Sequence, residues 1–346
     1  MIRFNCDYSE GAHPLILERL SSTNFEQTAG YGDDPHCQKA RELILKECGN
    51  PDADIYFLVG GTQTNTTIIS AALRPWQGVL SADTGHINVH ESGAIEATGH
   101  KVLAMPGTDG KISAKQIEEA YKAHYEDETQ MHMVQPKMVY ISQPTELGTL
   151  YSKAELEAIS KVCREKGLYL FADGARMGYG LMSEKNDVTL KDMAELCDVF
   201  YIGGTKVGAL FGEAVVITNN ELKKDFPYMI KQKGGLLAKG RLLGIQFEVL
   251  FEDGLYYRIS SHADKAANII RQACEKRGLG FLCPSYTNQQ FPIMPDTMIK
   301  ALSEKYSYAE MGRIDENHSA IRFCTSWATK LEDAEALAKD IETIKY

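Results

Sequence analysis

The chain of 346 residues lacks the marks of several large protein classes. Its eight cysteines, Cys6, Cys37, Cys48, Cys163, Cys197, Cys274, Cys283 and Cys324, are scattered without a C-x-x-C pair. They read as reduced, mostly buried thiols. No stretch approaches the ~20 apolar residues of a membrane helix, and no basic and apolar leader pattern marks the first residues. Both features predict a cytoplasmic protein. Lys and Arg number 37 against 47 Asp and Glu, a formal charge of −10, which disfavours nucleic acid and anionic membranes as partners. Internal repeats, low-complexity tracts and long blocks of like charge are absent, so the acidity reads as a solvated surface. The H-E-x-x-H order is absent as well, which argues against a metal-dependent lyase built on His86, His90 and Glu91 and predicts no metal site.

Short apolar runs are present at Ile55 to Val59, Met138 to Ile141, Tyr169 to Ala172, Val199 to Ile202 and Ala214 to Ile217. Between them, Leu156, Ile159, Val162 and Cys163 recur at helical spacing, with a stop at Lys166-Gly167. The alternation predicts an α/β fold, a mostly parallel mixed sheet covered by helices, in which ligands bind beyond the carboxyl ends of the strands. After Gly254 the pattern predicts a smaller α+β unit: a helix at 262–277, strands near Phe281 and Gln290, a helix at 296–305, a strand at 320–325 and a last helix from Leu331. The chain is long enough for two domains, and the division expected is 1–253 and 254–346. A helix at 236–251, weakened by Gly240 and Gly244, is expected to join them. Lys122 to Gln135 reads as a mobile surface excursion.

Three of the apolar runs end in residues suited to chemistry. The run 198–208 delivers Lys206 among glycines; a lysine becomes a nucleophile toward an aldehyde when partly desolvated and held rigid, and glycines would let a flat cofactor approach. A surface lysine capping a loop would look the same. The run 168–176 ends in Asp173, with Arg176 three positions on. A carboxylate there suits the pyridine nitrogen of pyridoxal 5′-phosphate, whose ring it would keep protonated as an electron sink, or else it caps the following helix. The run 55–59 leads through Gly60-Gly61-Thr62 into a helix, an anion cradle of backbone N–H groups. This turn lacks both the G-x-x-x-x-G-K-[ST] and the G-x-G-x-x-G patterns, so neither a nucleoside triphosphate loop nor a dinucleotide fold is indicated. Between cradle and Asp173, His86 lies where an imidazole could stack on a ring and take a proton from a substrate hydroxyl; a satisfied core histidine is the alternative.

These four segments, together with Gly30-Tyr31-Gly32-Asp33-Asp34-Pro35 and Ala320-Ile321-Arg322-Phe323, resemble the low-specificity threonine aldolase and β-eliminating lyase group of pyridoxal-phosphate enzymes. The resemblance spans nearly the whole chain and implies the aspartate aminotransferase-like fold type I. It implies cleavage of a β-hydroxy-α-amino acid of the threonine or allo-threonine type to glycine and an aldehyde, through a Schiff base at Lys206. It further implies Asp173 against the ring nitrogen and His86 for stacking and proton transfer. Gly61, Thr62 and Thr205 would contact the phosphate, and Arg176 the ring oxygen and the substrate carboxylate. Arg322 would grip the same carboxylate, with Tyr31 and Ser9 as further substrate contacts. Lys231 and Lys239, or Arg241 in their place, would complete the neighbouring subunit's phosphate site in a homodimer or homotetramer, unless Lys231 and Lys233 are an ordinary solvated cluster.

Two departures stand out. Many members carry a histidine where this chain has Glu146, which would act as a base if burial raised its pKa, or else orient a water or cap a turn. The opening Arg-Ser-Asp-Thr reads Asn5-Cys6-Asp7-Tyr8-Ser9, so the substrate serine is shifted to Ser9 or lost. The rival readings are β-elimination from another amino acid and a silent pyridoxal-phosphate binder.

Overall fold

The computed structural model describes residues 1–345; residue 346, the last of the expected second unit, lies outside them. A seven-stranded sheet forms the centre, in the order Asp54–Leu58, Glu213–Ile217, Val199–Gly203, Tyr169–Asp173, Gln135–Ser142, Gln77–Ala82, Lys101–Met105. Only Glu213–Ile217 runs antiparallel to its neighbours. The strands are apolar on both faces because helices cover both. In Tyr169–Asp173, Leu170 and Ala172 enter one hydrophobic cluster with Phe200, Ile202 and Val216. Phe171 enters the other with Tyr140, Val199 and Tyr201. The mostly parallel mixed sheet expected from the sequence is present, with two strands that were not anticipated. Gln77–Ala82 and Lys101–Met105 were hidden by Gly78, Ser81 and Lys101, which break the apolar runs.

A second, antiparallel sheet of Gly280–Phe281, Gln289–Gln290, Pro292–Pro295, Ala309–Arg313 and His318–Cys324 carries its own core of Phe4, Ile270, Met294, Phe323, Leu337 and neighbours. The chain's start is stitched into this part: Ile2–Arg3 pairs with Tyr306–Ser307, and Phe4 is fully buried there. The helix Arg241–Phe251 begins five residues later than anticipated, with Gly240 at its N-cap. The element that joins the two cores is instead Leu255–Lys276, which starts before the expected 262. Its Leu255, Tyr256, Ile259 and Ala263 pack into the large core, and Ala266, Ile270 and Cys274 into the small one. Asp253 and Gly254, both at positive φ, break the chain between these helices. Of the segment 122–135, the first residues belong to the helix Ala114–Tyr125, and the rest is a mostly exposed connection with a 3₁₀ turn at Gln130–His132 that leads into Gln135–Ser142. A full capping box of Ser113 and Gln116 sets that helix's N-terminus.

Ser142 aligns with Asp173, and Gly203 and Leu58 both align with Glu213, so these residues share one edge of the large sheet. Two glycines allow that edge to close. A Cβ on Gly174 would lie 1.9 Å from Tyr201 O, and one on Gly203 would lie 2.3 Å from Ala175 O. Gly174→Ala is expected to destabilise the fold by about 1–3 kcal/mol or more, the range of overpacking in a close-packed core. Thermal unfolding measures this, with Gly280→Ala as control, where a Cβ meets only Ile293 at 4.0 Å. Equal melting temperatures for the two variants would refute the close-packing argument.

Candidate active site

The sheet edge carries four elements in contact. Asp173 closes its strand and is 4% exposed. Tyr140 Oη donates to its Oδ2 at 2.6 Å, Asn65 Nδ2 to the same oxygen at 3.3 Å, and Ala175 N to Oδ1 at 2.9 Å. Lys206 follows the next strand in the turn 205–208. Among the described residues no side chain forms a hydrogen bond or ion pair with its Nζ, and Tyr179 Oη donates to its backbone carbonyl. Burial and the Arg176 guanidinium lower its pKa, although Asp7, Asp173 and Glu213 act the other way. The glycines before it serve the chain itself: on Gly204 a Cβ would meet Gly212 O at 2.8 Å and the Phe247 ring at 2.9 Å. The close approach they allow is thus to protein.

His86 opens the short helix His86–Val89. Its backbone N donates to Glu146 Oε1 at 2.9 Å, which also accepts from Ser142 Oγ at 2.7 Å. Its Nδ1 lies 2.7 Å from Glu91 Oε1. Burial works against a charged imidazole, but Glu91 and Asp173 outweigh it and raise the His86 pKa. Burial, with Asp173 nearby, also raises that of Glu146. The protonated form of the residue in the expected histidine's place is thus favoured.

The helix Gly61–Ala72 begins at the end of Asp54–Leu58, and no side chain caps it at Gly60. Its first N–H groups are thus free for an anion, with Thr62 in the first turn. Thr205 is engaged inside the protein: its hydroxyl donates to Glu213 Oε1 at 2.9 Å and accepts from Gly212 N at 3.0 Å. Glu213 is 3% exposed, also accepts from Gly204 N at 3.3 Å, and has its pKa raised by burial.

Arg176 makes a bidentate pair with Asp7, Nε to Oδ2 at 2.6 Å and Nη2 to Oδ1 at 3.0 Å, and Asn288 Nδ2 reaches the same Oδ2 at 2.9 Å. Burial alone would raise the Asp7 pKa, but Arg176, Lys206 and these donors hold it below the ordinary value. Arg322 donates through Nη1 to Gln289 Oε1 and through Nη2 to Asn5 O, while its buried Nε has no partner. Ser9 is exposed, with its Oγ 3.2 Å from Cys6 Sγ. Tyr31 is 51% exposed at φ 60°, and Lys231 Nζ sits 5.2 Å over its ring. Lys239 is exposed on the same stretch of chain.

Sequence reasoning assigned no role to Asp7, Asn65, Tyr140, Ser142 or Glu213, nor to Glu91 beyond the metal reading. Asp7 stood in the quoted N-terminal segment as an acidic residue without a nearby base, its only signal. Tyr140 and Glu213 lie within apolar strands, and no local pattern marks them. Among the described residues no group of three or more His, Cys, Asp or Glu could hold a metal ion.

The donor set fits pyridoxal phosphate. An uncapped helix start suits a phosphate, a buried carboxylate suits a ring N–H, an unpartnered amine suits an aldehyde, and a guanidinium with a buried free N–H suits a carboxylate. Residues 12–340 match the model of the beta-eliminating lyase family. A low specificity L-threonine aldolase of a Pseudomonas species is 30% identical over 352 residues, covering 99% of this chain and 97% of that protein. The structure of Leishmania major threonine aldolase superposes with a TM-score of 0.96 at 47% identity, covering 99% of each chain. A Thermus thermophilus aspartate aminotransferase, at 14% identity and TM-score 0.72 over 99% of this chain and 91% of that one, shares the fold. The chain belongs to the beta-eliminating lyase family.

Asp7→Asn would leave the buried Arg176 without its counter-charge, which costs about 3–5 kcal/mol. Denaturant unfolding at neutral pH measures the loss. The folded-state pKa of Asp7 is depressed, so its stabilisation is present above the ordinary carboxylate value and fades as pH falls toward the folded one. The gap between native protein and variant should therefore narrow on acidification; a constant gap would refute the pairing.

Proposed function

We propose that the chain cleaves the Cα–Cβ bond of a β-hydroxy-α-amino acid of the L-threonine or L-allo-threonine type, releasing glycine and an aldehyde, with pyridoxal phosphate as cofactor. The observation that carries the reading is an unpartnered, desolvated Lys206 at the same sheet edge as a buried, triply hydrogen-bonded Asp173. The relatives named threonine aldolase support the reaction type. When bound, pyridoxal phosphate supplies an aldehyde carbon for attachment of an amine and a ring that accepts the electron pair released at Cα.

The chain's own residues would do the rest. Lys206 would be the amine to which the cofactor's aldehyde attaches, since burial disfavours its charged form. Asp173, its two oxygens fixed by Tyr140, Asn65 and Ala175, would hold the cofactor's ring nitrogen. Gly61 and Thr62 turn backbone N–H groups toward the phosphate. Thr205 orders the lysine turn through Glu213. Arg322 binds the substrate carboxylate, and Arg176, oriented by Asp7, lines the same place. His86 would take the β-hydroxyl proton, and Glu146 holds the His86 backbone N–H. Arg322 comes from the second of the two units proposed, 1–253 and 254–346, and Lys206 from the first, so the substrate would sit between them.

Exposed Lys231 and Lys239 fit a role in the neighbouring subunit's phosphate site, which makes a homodimer or homotetramer the working assembly. Eight unpaired thiols fit a cytoplasmic location; among the described residues no helix is long and apolar enough to cross a membrane.

Lys206→Ala is expected to abolish turnover of threonine while the melting temperature of the protein survives; full activity in that variant would end the assignment. Arg322→Ala should raise KM for the amino acid roughly 10- to 150-fold, the equivalent of about 1.5–3 kcal/mol for charged hydrogen bonds, with cofactor affinity retained. Steady-state kinetics and cofactor titration separate the two effects, and an unchanged KM removes Arg322 from the site.

A further inference from the structure

Behind His86 lies a carboxylate that the proposed reaction has not used. Glu91 is 5% exposed, and its side chain is fully buried. Its Oε1 serves two partners, His86 Nδ1 at 2.7 Å and Asn65 Nδ2 at 2.6 Å, and its Oε2 has none. The same Asn65 amide reaches Asp173 Oδ2 at 3.3 Å. A continuous chain therefore runs from His86 through Glu91 and Asn65 to Asp173 and on to Tyr140. A neutral imidazole carries its proton on one nitrogen only, and the partner of the other nitrogen decides which. An ionised carboxylate has only acceptors to offer, so a ring nitrogen 2.7 Å from it is the one that bears hydrogen.

We propose that Glu91 is a positioning residue for the reaction: it holds the Nδ1 proton of His86, locks the ring, and leaves Nε2 as the proton acceptor. This rests on the role for His86 proposed above. Asn65 ties the arrangement to Asp173, so the group that takes the proton and the group that faces the cofactor ring are set by one amide. Five charged or titratable groups bear on the His86 ring. Glu91 and Asp173 favour its charged form, Lys206 opposes it, His90 lies 5.6 Å away between ring centroids, and Glu146 holds the backbone N–H. Of these only Glu91 touches the ring's own nitrogen. Removing its charge while keeping an acceptor oxygen, as in Glu91→Gln, should lower the proton affinity of His86 with little change in shape.

The test uses the cofactor-loaded protein labelled with ¹⁵N-histidine, with His86 signals identified by comparison with His86→Gln. Long-range proton–nitrogen spectra across pH report both the tautomer and the imidazole pKa. The expected result is an Nδ1–H neutral ring in the native protein. The pKa should fall by about one pH unit or more in Glu91→Gln, the effect of losing a close opposite charge. Glu91→Asp should recover part of the fall, and the acid limb of the kcat/KM profile should move to lower pH in step. A neutral ring protonated on Nε2, or an imidazole pKa indifferent to Glu91→Gln, overturns the proposal. If Glu91→Gln does not fold, the tautomer in the native protein decides alone. The spectra are independent of turnover: the expected tautomer in a protein that leaves threonine intact would sink the aldol reading and keep the role of Glu91.

Discussion

The site depends on one backbone contact. Gly203 N donates to Gly174 O at 2.9 Å, where the turn after one strand lies against the end of the next. No side chain larger than hydrogen fits at either position, since each Cβ would overlap a carbonyl of the other segment. The contact fixes Asp173, immediately before one glycine, relative to Lys206, three residues after the other. Parallel strands bring their carboxyl ends to one edge, and the single antiparallel strand brings its first residue, Glu213, to that edge too. The strand ends thus place Asp173 and the turn of Lys206 side by side at one close-packed edge of the sheet.

Around this frame the protein buries an unusual amount of charge. Asp7, Asp173, Glu91 and Glu213 are each at most 5% exposed, and the Arg176 guanidinium pairs with Asp7. Such groups are tolerable only when hydrogen-bonded or paired. Asp7 has Arg176 and Asn288, Asp173 has Tyr140, Asn65 and Ala175, and Glu213 has Thr205 and Gly204. Among the described residues no side chain bonds the Lys206 amine, and burial disfavours its charged form. Glu146 joins the same network through Ser142 and the His86 backbone.

Much of this was legible along the chain. The runs ending in Asp173 and Lys206 and the turn at Gly60 and Gly61 are local: apolar residues, then small ones, then one polar group. The stop at Lys166-Gly167 was equally readable: Gly167, at positive φ, ends Lys153–Lys166. Strands interrupted by polar or small residues were not, and neither was the bridging role of Leu255–Lys276, because which core a helix face enters is set by elements distant in sequence.

The amino-acid order by itself determined the alternation of strands and helices, the residues at the strand ends and the family they belong to, since each is written in short segments. Only the tertiary structure decided what those residues touch. Asp7 and Arg176 are 169 residues apart, Asn65 and Asp173 are 108 apart, and Arg322 meets the carbonyl of Asn5 across 317. Charge pairing and hydrogen bonding act over a few ångströms of space and are indifferent to sequence distance, so the partners that set each proton and each orientation appear only once the chain is folded.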